Sequence, residues 1–174
     1  MATALFIKEK LEQATYDTVR LGAGTGAANN LSDREIGKFV KLVGESRYDL
    51  CAVGNPIEGR ISAVESATAG GFTTGSVQIG GLMEVTFDGL QATPGTGAAT
   101  IGSFVVCGTP VAKDTALTGP ARVCVATNQP GAVPADLTAA GQQARNAAFA
   151  WRIVSLGTVG TGAVGTVGVI QRVL

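Results

Sequence analysis

The sequence predicts a mainly β fold: a small antiparallel β-barrel or sandwich with an N-terminal arm and at most one short helix. Three observations lead there. Residues 76–88 alternate apolar and polar side chains with a period of two, the mark of a strand with one buried face. Twenty-five glycines and many threonines imply numerous turns and short strands. Hydrophobic residues make up 45% but aromatics only 5%, so the core is expected to be built from small and β-branched side chains. A chain of 174 residues suffices for one domain with a real core, or one domain plus an arm.

Taken in order, residues 4–14 carry a weak helical pattern through Ile7, Leu11 and Ala14, too short to be stable alone. Tyr16, Val19 and Leu21 follow in a segment suited to extended backbone, and residues 22–30 read as a flexible Gly/Ala/Asn link. Residues 1–37 are therefore expected to form an arm, and 38–174 a β-rich domain. Strands are expected at 38–43, 48–53, 58–65 and 74–88, separated by turns at Gly44-Glu45, Gly54-Asn55-Pro56 and Ala69-Gly70-Gly71. Within 74–88, Gly80-Gly81 looks like a hairpin turn, but parity argues otherwise. A two-residue turn would set Val77 opposite Glu84, whereas one continuous strand with a glycine bulge or kink keeps Val77, Ile79, Met83, Val85 and Phe87 together.

Beyond a Gly/Thr/Pro loop at 89–100, further strands are expected at 101–107, 121–127, 151–156 and 164–174. The last is apolar on both faces, which suits a central strand or one covered by a partner. Residues 135–149 are the best helix candidate, with Asp136 as a cap, an exposed Ala-rich loop being the alternative. Gly157-Thr-Val-Gly160 recurs as Gly165-Thr-Val-Gly168 and is read as two arms of a hairpin around Thr161-Gly162.

Chemistry-bearing motifs are sparse. The chain contains no histidine, which excludes Ser-His-Asp and Cys-His machinery. Cys51, Cys107 and Cys124 are widely spaced in apolar runs and fit neither a zinc pattern nor a disulfide framework. Glu84 and Asp88 share a strand face; paired carboxylates serve glycoside hydrolysis, but two charges also simply keep a strand face wet. Gly22-Ala-Gly-Thr-Gly-Ala27 matches a dinucleotide-binding pattern without the βαβ unit that gives it meaning, so a linker is the better reading. Ser32-Asp-Arg-Glu35 has the form of a capping box for one turn before Gly37. No cofactor, metal or catalytic residue is assigned.

Formal net charge is zero and no basic stripe is visible, which argues against nucleic acid. No signal-peptide-like apolar stretch opens the chain and no apolar run is long enough to span a membrane, so synthesis in a reducing cytosol is expected. Charged residues are only 15%, which suggests a surface covered in part by partners.

Phe39-Val-Lys-Leu-Val43, Ala52-Val-Gly-Asn-Pro-Ile-Glu-Gly59 and Gly75-Ser-Val-Gln-Ile-Gly-Gly-Leu-Met-Glu-Val85, followed by a Gly/Pro loop and a Val-rich C-terminal strand, resemble the capsid decoration, or cement, proteins of tailed bacteriophages. The resemblance covers about 38–110, with a weaker echo at 151–174. It implies a non-enzymatic β-domain on the capsid exterior that bridges major capsid protein subunits and stabilises the head. A homo-oligomer follows from it, a trimer in preference to a dimer. Capsid contacts are then expected from the arm, through Leu5, Phe6, Ile7, Leu11, Tyr16, Val19 and Leu21. A tail or fibre component, or a carbohydrate-binding β-domain, is the alternative.

Overall fold

The computed structural model describes residues 14–22, 30–44, 47–65, 73–127 and 150–173. They form a mainly β molecule of two parts: a closed five-stranded barrel and a second sheet. The barrel contains β1 (Tyr16–Leu21), β2 (Phe39–Gly44), β3 (Arg47–Leu50), β4 (Gly59–Glu65) and β5 (Thr73–Gln78), in the order β1-β3-β2-β4-β5. Its pairs are antiparallel except β1 with β3. The second sheet contains β6 (Leu82–Leu90), β7 (Thr93–Pro94), β8 (Val105–Cys107), β9 (Arg122–Val125), β10 (Trp151–Ser155) and β11 (Val167–Arg172). Its order is β10-β11-β6-β9-β8, with β7 hairpinned onto β6 and β6 parallel to β9.

The second sheet also wraps on itself. Residues 102–104, leading into β8, cover the outer edge of β10: Gly102 N donates to Ile153 O (2.8 Å), Ile153 N donates to Ser103 O (2.9 Å), and Phe104 bridges Arg152. The other edge of β8 pairs with the turn after β3, where Gly54 N donates to Cys107 O and Cys107 N to Asn55 O. An unpaired edge is a template for unwanted strand addition, and these contacts remove two such edges.

Each part has its own core. In the barrel, Val19, Leu21, Leu31, Val40, Ile61 and Val77 cluster, with Tyr48, Leu50, Val64 and Ile79 against them. In the sheet, Met83, Val85, Phe87, Val105, Cys107, Val123, Trp151, Ile153 and Ile170 form the larger core, joined by Phe39, Cys51 and Ile57 from the barrel side. Alternation along β2 makes the join: Phe39 enters the sheet core and its neighbour Val40 the barrel core. Polar contacts seal the junction. Trp151 Nε1 donates to Ile57 O (3.0 Å), Arg172 donates to Glu58 O and Ile79 O, and buried Gln78 donates to Gly80 O and Leu82 O while accepting from Arg60.

Several expectations are corrected. The arm does not extend to residue 37: β1 closes the barrel between β3 and β5, and Leu31 lies in its core. The segment 74–88 is not one bent strand. It breaks at Ile79-Gly80-Gly81, β5 staying in the barrel and β6 entering the sheet, with Gly81 at φ +83°. Gly80-Gly81 is no hairpin turn either, since β5 and β6 do not pair. Most of the Gly157–Gly168 repeat lies in the loop at the end of the β10–β11 hairpin, and only Val167 and Gly168 belong to an arm, as the start of β11. β11 is central, between β10 and β6, as its two apolar faces suggest. The helix expected at 135–149 and the 22–30 link lie wholly or mostly outside the described residues.

Candidate docking surface

Residues 89–112 and 153–171 contain no Asp, Glu, Lys or Arg. The fold places loops from both stretches side by side at one end of the second sheet. Ala98 bridges Ala163 antiparallel, and Ala99 N donates to Gly162 O (2.8 Å). The surface they make presents Ile101 at 67% exposure and Val159 at 64%, with Val164 and Val167 also exposed. Desolvating such a face on docking strips water from no charge, and charge desolvation is the costly part of burying a surface.

Glycine makes the geometry possible. Gly162 has φ +59°, and a Cβ there would lie 2.1 Å from Ala99 O, so only glycine lets the two loops meet. Side-chain hydrogen bonds tie the loops further: Thr166 Oγ1 donates to Ala163 O (2.6 Å), and Thr100 and Ser103 share a hydroxyl–hydroxyl bond (2.7 Å). The apolar groups thus sit on backbone already fixed, so docking orders little new chain.

The expected contact residues fare differently. Tyr16 is 55% exposed on the outer face of β1 and is open to a partner. Val19 (3%) and Leu21 (1%) point into the barrel and cannot reach one, because the alternation that exposes Tyr16 and Thr18 turns them inward. Leu5, Phe6, Ile7 and Leu11 lie outside the described residues. Glu84 is exposed, but Asp88 is not the solvent-facing charge its parity suggests. A loop and a neighbouring strand cover it: Asp88 accepts from Thr109 N (2.7 Å) and pairs with Arg122 of β9 (3.4 Å). The two carboxylates therefore sit in unlike surroundings, one wet and one pinning a loop. Among the described residues, no group of acidic or cysteine side chains could hold a metal, and no helix is long and apolar enough to cross a membrane.

A cleft of about 390 Å³ lies between the two parts, walled by Phe39, Leu50 and Cys51 on the barrel side, Thr86 and Cys107 on the sheet, and the 109–121 loop. A buried polar knot holds that loop. The Glu35 carboxylate accepts from Ser32 N (2.7 Å), the Ser32 hydroxyl (2.8 Å) and Asp114 N (2.6 Å), and pairs with Lys38 (3.4 Å). Lys38 Nζ in turn donates to Ala112 O. Burial pushes the Glu35 carboxyl up, but the Ser32 and Asp114 donors and the Lys38 charge outweigh it and hold it below its ordinary value. The expected turn at Ser32–Glu35 is present as a short 3-10 helix, and its Glu35 also latches a loop 79 residues away in sequence.

Ile101, Val159 and Val164 were not singled out from sequence. The available signal was the pair of long charge-free stretches, read with the close recurrence of Gly157, Gly160, Gly162 and Gly165. No family model, curated protein or solved structure matches the chain.

Proposed function

We propose that this protein is a structural virion component that binds the outer surface of a tailed-phage capsid and stabilises it by bridging major capsid protein subunits. The observation that carries the reading is the charge-free, glycine-ordered loop end with Ile101 and Val159 outermost. It is the kind of preformed apolar patch through which a protein docks on another protein. The two self-paired β units behind it give a stiff body for resisting outward pressure, and the resemblance of residues 38–110 to decoration proteins points to the same role. Homo-oligomers, trimers in preference to dimers, would multiply individually modest contacts over the shell.

The test is co-sedimentation with capsids of the encoding phage stripped of this protein. Wild type is expected to bind and to raise the temperature at which the capsids release DNA. An I101E/V159E double variant, folded by circular dichroism, is expected to lose binding at least tenfold, because docking would bury two unpaired charges. Wild type that ignores capsids removes the function; a double variant that binds normally removes this surface from it.

A further inference from the structure

Cys51 and Cys107 come from different parts of the molecule, Cys51 from the turn after β3 and Cys107 from the end of β8. They meet in the sheet core and both face the cleft between the two parts. The backbone holds them in register: Cys107 accepts from Gly54 N (2.8 Å) and donates to Asn55 O (3.0 Å), in the turn that begins at Cys51. The largest influence on the Cys51 thiol is a side-chain hydrogen bond with the Cys107 thiol, which raises its pKa ahead of burial. The third cysteine is turned away. Cys124 pairs with Val106 across β8 and β9, on the opposite face from Cys107, in a separate cluster with Val106 and Ala126. All three thiols are free in the structure.

We propose that Cys51 and Cys107 form an intramolecular disulfide that staples the barrel to the sheet when the protein meets a low-molecular-weight disulfide such as oxidised glutathione. One protein thiolate attacks the small disulfide, giving a mixed disulfide and releasing one small thiolate. The second protein thiolate displaces the other. The protein loses two thiol hydrogens as protons and two electrons; the small disulfide takes them up and leaves as two thiols. The cleft gives the reagent its way in. The reaction is slow at neutral pH, because the Cys51 thiol is held well above its ordinary value by its sulfur neighbour and by burial, which keeps the attacking thiolate scarce. Such a bond closes a loop across the junction and so restricts the unfolded chain.

The test is to incubate the full chain with excess oxidised glutathione at mildly alkaline pH, quench with an alkylating agent, and map the peptides by mass spectrometry without reduction. A Cys51–Cys107 cross-linked peptide with Cys124 alkylated is expected, and a melting temperature raised by roughly 5–10 °C. C124A is expected to behave the same, while C51A and C107A give no cross-link. Three alkylated thiols, a glutathione adduct that never resolves, or a bond to Cys124 would each overturn the proposal. The wild-type map decides it even if a variant fails to fold.

Discussion

The barrel and the second sheet are both β units that close on themselves, yet they differ in chemistry. The barrel carries charge along its outer surface, with Asp17, Lys41, Asp49 and Glu65 on its strands, and its buried core side chains are aliphatic. The sheet core is larger and holds Phe87, Met83, Trp151 and Cys107, while the loops at one of its ends, 91–104 and 156–166, carry no charge. A charged exterior keeps a unit dissolved; a charge-free exterior on a stiff frame is a surface waiting to be covered. The contrast suggests a division of labour, with the barrel as the solvent-facing body and the sheet end as the docking face.

The join between them is where the comparison breaks most easily. Trp151 is fully buried and its indole N–H reaches across to Ile57 O. Trp151→Ala is expected to cost about 3–5 kcal/mol and to split unfolding into two steps, sheet before barrel. Because Trp151 is the only Trp, the variant must be followed by circular dichroism in urea; a single unchanged transition would show that the two parts are not joined through this side chain.

Glu35 comes next. Glu35→Ala removes the partner of the buried Lys38 charge and releases the Asp114 end of the 109–121 loop, at an expected cost of roughly 3 kcal/mol. The same carboxylate sets an acid limit. Its folded value is depressed, so its contribution is complete above the ordinary 4.5 and is lost as pH falls through the lower folded value. Wild type is therefore expected to lose stability below that point more steeply than Glu35→Gln, in denaturant titrations at matched pH. Parallel curves would remove Glu35 from the acid response.

Gln78 tests the strand break. Gln78→Ala removes two donors to the Gly80 and Leu82 carbonyls and the acceptor for Arg60, and is expected to cost about 1–3 kcal/mol with a shift in Trp151 fluorescence. An unshifted spectrum would mean that the break holds without it. Ile101→Glu is expected to have the smallest effect on folding, within about 0.5 kcal/mol by denaturant midpoint, since the side chain is mostly exposed. Leu42→Glu, on the exposed end of barrel strand β2, should be equally mild. The two are expected to diverge only in capsid binding, which Ile101→Glu weakens and Leu42→Glu leaves intact. Equal losses would erase the distinction between body and docking face.

Most strand positions were legible because alternation and turn residues are local. Residues 59–65 appear as β4 within one residue of expectation, and 151–155 as β10 likewise. The break at Gly80-Gly81 was not legible. Ile79 and Met83 share parity, so the pattern stays in phase whether the two segments face one core or two. Val19 and Leu21 misled for a related reason: a short apolar segment preceding a glycine-rich stretch looks detachable until a closing strand is needed. Glu35 read correctly as a local cap, and its long-range partner Asp114 left no trace in the spacing.

The sequence by itself determined the mainly β class, the turn at Gly54-Asn55-Pro56 and the two apolar faces of the last strand, because each depends on composition or on neighbours a few residues apart. Only the tertiary structure decided that β1 belongs to the barrel, that adjacent residues Phe39 and Val40 serve different cores, that Asp88 is buried, and that two charge-free loops share one surface. Those outcomes depend on which strand closes against which, and strand pairing across tens of residues is set by the fit of whole faces, which no local pattern encodes.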